Sequence, residues 1–200
     1  MSLEKCALIF VGYQNDYFSD DGILRPVIEE ADQTIKILKN TIKLIEQLKT
    51  TSVMMIQTPI IFTPDYSELV NPVGILKTIV DVKAFREGSK GAEQIPQFKA
   101  YGDRIKTIKG KRGLNAFSNT ELHQTLQEHN IKHVVMAGAV TSICIDSTGR
   151  AAHEYGYQVT ILDDCTASRT SFEQSFYCDN IFPLYADILG FEQFVQRYNS

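Results

Sequence analysis

The stretch VVMAGAVTSICIDSTGRAAHEYG, residues 134–156, limits what this chain can fold into more than any other part of it. It begins as an apolar run of strand length without polar alternation, the pattern of a strand buried on both faces. The chain then turns through Gly138, Ala139, Val140 and Thr141 into a helical pattern that Gly156 ends. A fully buried strand leading straight into a helix opens a crossover unit, and such units join parallel strands. Three residues after Thr141 stands Cys144, in the predicted first turn. The unpaired N–H groups and the positive end of a helix favour thiolate over thiol at such a place.

The same alternation recurs along the chain. CALIFVG, residues 6–12, is a second short apolar run and reads as a buried strand. A Gly/Asp-rich loop follows, and Pro26 is predicted to open a long helix with Ile28, Ala31, Ile35, Leu38, Ile42 and Ile45 on its buried face. A strand is expected over 53–57, ended by Thr58-Pro59. Residues 60–103 are divided by Pro64, Pro72, Gly74, Gly88, Gly91 and Pro96, and read as a long excursion with one short helix near 75–80. Regular structure resumes with a strand near 104–108 and a loop carrying Lys111. Capping-box patterns at 118–121 and 170–173 open later helical segments, and further strands are expected over 133–139 and 158–162. The reading is a single α/β domain over 1–200, three-layered α/β/α with a central parallel sheet.

The charges exclude several classes of function. Twenty Lys and Arg face twenty-four Asp and Glu, with no basic block for nucleic acid and no polybasic segment for a membrane surface. No apolar run approaches transmembrane length, and the first one is too short for a leader, so a soluble, cytoplasmic protein is expected. Cysteines 6, 144, 165 and 178 form no CxxC pair and read as free thiols. Histidines 123, 129, 133 and 153 lack ligand spacing, and no phosphate loop or dinucleotide fingerprint is present. Neither a metal nor another cofactor is expected.

In an open parallel sheet, ligands bind outside the carboxyl ends of the strands. Three segments deliver residues there: 12–16, 109–112, and the turn into Cys144. The chemistry they suggest is attack by the sulfur, exposed at the sheet's rim, on an electrophilic carbon, with the backbone amides of Ile143 and Cys144 holding the oxyanion. Two plainer readings stand beside it. Cys144 is also compatible with a small buried hydrophobe, and KGKR around Lys111 with a solvated basic loop. A thiol redox sensor would use the same cysteine, but no resolving cysteine lies near it in sequence. Cys6, Cys165 and Cys178 read as packing residues.

The segments ALIFVGYQNDYF, KGKRGLNAFSNTEL and MAGAVTSICIDSTGRAAHEYGYQVTILDDCTAS resemble, in order and spacing, the signature blocks of the isochorismatase-like cysteine hydrolase family. That resemblance implies a Rossmann-like parallel sheet flanked by helices, a homo-oligomer (dimer or tetramer), and a small amide, ureide or similar C–N substrate. It also implies a catalytic Asp, Lys and Cys. The Cys falls on Cys144 and the Lys on Lys111, ahead of Leu114-Asn115-Ala116-Phe117. A non-proline cis peptide is implied at Ala139–Val140. Where nicotinamidase-type members carry an Asp-x-His metal pair, this chain reads Gln57-Thr58-Pro59. The position of the catalytic Asp is occupied by Gly12. Three readings of that glycine stand: a binding protein that keeps the pocket without turnover, an enzyme using another carboxylate such as Asp16, or an introduced change. Candidates for the pocket wall are Asp16, Phe18, Phe62, Leu76, Phe85 and Phe117.

Overall fold

Described over residues 3–199, the computed structural model centres on a wholly parallel six-stranded sheet. Its strands are β1 Cys6–Val11, β2 Met54–Thr58, β3 Lys106–Thr107, β4 His133–Ala139, β5 Gln158–Ala167 and β6 Asp187–Leu189, in the order β3-β2-β1-β4-β5-β6. The helices are α1 Asn15–Phe18, α2 Ala31–Leu48, α3 Gly74–Val82, α4 Pro96–Lys99, α5 Leu122–Glu128, α6 Asp146–Glu154, α7 Ser171–Phe176 and α8 Phe191–Asn199. α2 and α8 pack side by side on one face. Right-handed crossovers place α5 and α6 on the other, completing the three-layer α/β/α arrangement. No described helix is long and apolar enough to cross a membrane.

The two central strands explain the sheet's placement. Every residue of β1 and of β4 is buried, as continuous apolar runs require. β1 continues to β2 on one side and β4 to β5 on the other, so the connections leaving these neighbours diverge. This is the topological switch point where open α/β sheets form their crevice.

Several elements differ from their sequence patterns for identifiable reasons. The segment at Pro26 is a 3-10 turn, Arg25–Val27, and the long helix starts only at Ala31. The intervening chain is tied across the molecule: Glu29 N–H donates to Arg169 O, and the Glu30 carboxylate accepts from the Ser171 amide and hydroxyl. The helix's buried face is also rotated from the predicted one. Thr34, Ile37, Thr41, Leu44, Ile45 and Leu48 point inward, while Ile35 is 56% exposed. Thr41 counts as interior because its hydroxyl is paired with Tyr13 Oη at 2.6 Å. The capping box at Thr170 forms, with Glu173 N–H donating to Thr170 Oγ1. The one at Ser118 does not; Thr120 Oγ1 instead accepts from Leu122 N–H. β5 runs five residues further than its apolar core, past a register shift against β4 between Met136 and Gly138. β6, three residues long, lies within the segment expected to be helical.

His133 opens β4 and is buried, its Nδ1 paired with Tyr198 Oη at 2.6 Å and its Nε2 with Thr160 Oγ1 at 2.8 Å. Burial pushes its pKa down to about 4, against about 6.5 in an unfolded chain. The unfolded chain therefore takes up this proton first as pH falls, and stability is lost from about pH 6.5 down to about pH 4, by roughly 2–3 kcal/mol. Urea unfolding across that range should give this slope in the wild type and a flatter one in His133→Gln; equal slopes would refute it.

Candidate active site

The crevice between β1 and β4 is built from three chain segments. β4 leaves the sheet through a cis peptide between Ala139 and Val140 and enters a π-type turn, Thr141–Ile145, before α6 begins. The Thr141 hydroxyl, fully buried, donates to Gln174 Oε1 at 2.6 Å and fixes the turn. This turn replaces the plain helix start expected from the sequence. The Val140 carbonyl accepts from Ile143 N–H (3.1 Å) and from Ile145 N–H (3.2 Å), passing over Cys144 between them. The Ile143 amide, expected as an oxyanion donor, is therefore already committed. Single π turns often mark functional sites, where a widened turn frees a group from the ladder. Cys144 itself is only 4% exposed, so its sulfur lies beneath the rim and not on it.

Lys111 arrives from the other side of β1. Beyond β3 the chain pairs in parallel with Ile60, which carries Lys111 into the molecule with no exposed surface. Ala116 N–H donates to Thr148 Oγ1 at 3.1 Å and ties the loop to α6. The Lys111 ammonium donates to Gly113 O at 2.5 Å and lies 3.6 Å from Cys144 Sγ. Burial pushes its pKa below the ordinary lysine value, and the nearby sulfur, by charge and hydrogen bond, pulls it back up. The solvated-loop reading of Lys111 and the purely apolar reading of Cys144 do not fit this contact.

Gly12 ends β1 at φ +80, in the left-handed region. A Cβ placed there would lie 2.8 Å from Ala139 O, with Tyr17 Cδ2 next at 3.5 Å. Position 12 thus touches the cis-peptide turn directly but has no room for a side chain in this conformation.

The polar residues that follow Gly12 act structurally. Gln14 Nε2 donates to Ile60 O and Ala92 O, both at 2.8 Å, while Ile60 N–H donates to Gln14 Oε1 at 2.9 Å. Asn15 Nδ2 donates to Lys90 O at 2.8 Å. Asp16 Oδ2 accepts from Phe85 N–H at 2.6 Å, and its carboxylate lies against Gly91, where any side chain would collide with it. Burial raises the Asp16 pKa, and the Phe85 hydrogen bond partly offsets this. All three side chains therefore staple the 60–95 excursion to the end of β1. Asp16 was expected as pocket wall or substitute carboxylate; its carboxylate is engaged by the Phe85 amide. The sequence signal for this staple was the run Gln-Asn-Asp itself, whose partners are backbone atoms and so invisible in a motif.

A groove of about 800 Å³ opens beside the turn, lined by Val73, Leu76, Leu114, Ser142, Ile143 and Arg169 among others. Leu76 lies in this wall. Phe62 and Phe85 are fully buried, Phe18 stacks on Tyr13, and Phe117 packs against Tyr155 and Tyr157, so these four do not line it. Tyr17, missed in the sequence, is 2% exposed, touches Phe85, and faces Gly12. Among the described residues no group of three or more His, Cys, Asp or Glu gathers to hold a metal.

Comparison with known proteins now decides the lineage, because the model of the isochorismatase domain matches residues 6–193. The chain belongs to the isochorismatase-like cysteine-hydrolase superfamily. An isochorismatase family protein of Bacillus subtilis, YddQ, of uncharacterized function, is 27% identical over 82% of this chain and 78% of its own. The ureidoacrylate amidohydrolase RutB of Cronobacter sakazakii is 25% identical over 82% of this chain and 75% of its own. Among solved structures, a cysteine hydrolase from Pseudomonas syringae superposes with a TM-score of 0.86 at 19% identity, covering 100% of this chain and 94% of that one. In this isochorismatase-family chain, the two groups in contact at the switch point are Lys111 and Cys144.

A side chain at position 12 has to leave the left-handed region or displace the Ala139 carbonyl. Gly12→Ala and Gly12→Asp should each lower unfolding stability by about 1–3 kcal/mol, read by urea titration. A Gly12→Ala protein as stable as wild type would refute this account.

Proposed function

We propose that this chain is a cysteine hydrolase that cleaves the C–N bond of a small amide or ureide through a thioester on Cys144. The observation that carries the reading is the fully buried Lys111 ammonium, 3.6 Å from the Cys144 sulfur. Removing an ammonium from water costs several kcal/mol even after relaxation. A fold that places one against a thiol, at the sheet's switch point, supplies what a thiolate nucleophile needs. The ureidoacrylate amidohydrolase among its relatives supports a ureide or amide as the substrate class. The adjoining groove, about 800 Å³, is in the range of small-molecule sites.

In this mechanism Cys144 attacks the carbonyl carbon, forming the C–S bond while the carbonyl π electrons move to oxygen. The Cys144 amide, which takes no part in the Ile143 and Ile145 bonds to the Val140 carbonyl, is the donor this reading assigns to the oxyanion. The tetrahedral centre collapses, the C–N bond breaks, and the amine departs with a proton. Water then attacks the thioester and returns the sulfur to its starting state.

A second reading is favoured by Gly12: a binding protein that holds a small amide or carboxylate without turning it over. Ammonia release from a panel of small amides and ureides separates the two. Turnover that falls at least about 10³-fold in Cys144→Ala, with an acyl adduct on Cys144 trapped by mass spectrometry in the wild type, supports the hydrolase. No turnover across the panel, with equal ligand binding by wild type and Cys144→Ala, supports the binder.

A further inference from the structure

The described chain offers Cys144 no free carboxylate to carry a proton. Position 12 has no side chain, and its left-handed backbone faces a carbonyl 2.8 Å from where a Cβ would be. Asp16, the nearest carboxylate in sequence, accepts the Phe85 amide. The Lys111 ammonium lies 3.6 Å from the Cys144 sulfur. Beside Gly12 the space is taken by the ring of Tyr17, whose Cδ2 lies 3.5 Å from the Cβ position. Tyr17 is 2% exposed.

We infer that Lys111 itself carries the proton through acyl transfer, alternating between ammonium and amine. This rests on the cysteine-hydrolase reading above. The steps balance without another base. Thiolate attack forms the C–S bond and leaves the oxyanion. On collapse the C–N bond breaks, the electron pair goes to nitrogen, and that nitrogen takes a proton from the Lys111 ammonium. Lys111 is then an amine. It accepts a proton from the water that attacks the thioester, the C–O bond forms, the C–S bond breaks, and the thiolate–ammonium pair is restored. Burial suits lysine to this cycle, because a desolvated ammonium gives up its proton more readily than an exposed one.

The test uses the full chain and a matched pair of probes with one acyl group, p-nitrophenyl acetate and p-nitroacetanilide. Nitrophenolate leaves without a proton; nitroaniline needs one. Lys111→Arg keeps the charge but cannot cycle. It should release one equivalent of nitrophenolate from the ester, accumulate acetyl-Cys144, stall, and lose anilide cleavage by at least about 100-fold. Should that variant fail to fold, Lys111→Ala carries the test. Small alkylamines should restore its nitroaniline release, and guanidinium, a cation that holds its proton, should not. An Arg variant within a few-fold of wild type on the anilide, or rescue by guanidinium equal to that by amines, overturns the role of Lys111. A wild type silent toward both probes and toward the amide and ureide panel overturns the hydrolase reading beneath it.

Discussion

An ammonium without exposed surface is the constraint to which the rest of the site answers. Lys111 has two partners, the Gly113 carbonyl and the Cys144 sulfur. A buried charge is tolerated only where its donors are satisfied, so both partners have to be held in place. The Gly113 carbonyl is held by a loop pinned at both ends, through the Ile60 pairing and the Ala116–Thr148 hydrogen bond. The sulfur is held by the π turn, itself fixed by the buried Thr141–Gln174 contact. Strand order, loop anchoring and turn shape thus converge on one contact between a cation and a thiol.

That contact needs β1 and β4 to leave the sheet closer together than side chains permit. A Cβ on Gly138 would lie 1.9 Å from Val11 O, and one on Gly12 would lie 2.8 Å from Ala139 O. The two glycines sit on facing strands, each against the other strand's carbonyl. Close approach of backbones and a carboxylate at position 12 are therefore competing uses of the same small volume. Here the volume goes to the backbone, and the aromatic ring of Tyr17 fills what remains.

The fold was legible because its strongest signal, continuous apolar strands separated by helical patterns, follows directly from burial on both faces. Cys144 was legible as a candidate nucleophile from its place after a buried strand, beside the plainer reading of a buried hydrophobe, whereas KGKR set Lys111 apart from a solvated loop only through the resemblance. What stayed hidden shares a physical cause. Gln14, Asn15 and Asp16 act on backbone amides and carbonyls of an irregular segment, and backbone atoms leave no trace in side-chain pattern. The inward face of α2 was misjudged because two of its buried positions are threonines, one of them made apolar in effect by Tyr13. The Ile143 amide is committed by a three-residue bond to the Val140 carbonyl, which also takes a five-residue bond from Ile145, and no periodicity reports such a mixed turn. β6 is too short for any alternation to register.

The staple at the end of β1 divides the long excursion into parts with different freedoms. Ile60, Phe85, Lys90 and Ala92 are bound to Gln14, Asn15 and Asp16, and Phe62 exchanges backbone hydrogen bonds with Phe85 and Glu87. These residues are tied to the end of β1. Between them runs the stretch from 63 to 84, which carries α3 and supplies Val73 and Leu76 to the groove wall. Val70 and Val73 there are 83% and 79% exposed. The chain thus anchors the shell around Cys144 through backbone hydrogen bonds and builds the outer wall from a segment that this network does not touch. Within that segment Glu68 reaches the Lys111 loop, pairing with Arg112 at 3.2 Å, whereas α3 lines the groove away from that tie, so α3 is where substitutions can reshape the wall while the Lys111–Cys144 contact stays in place.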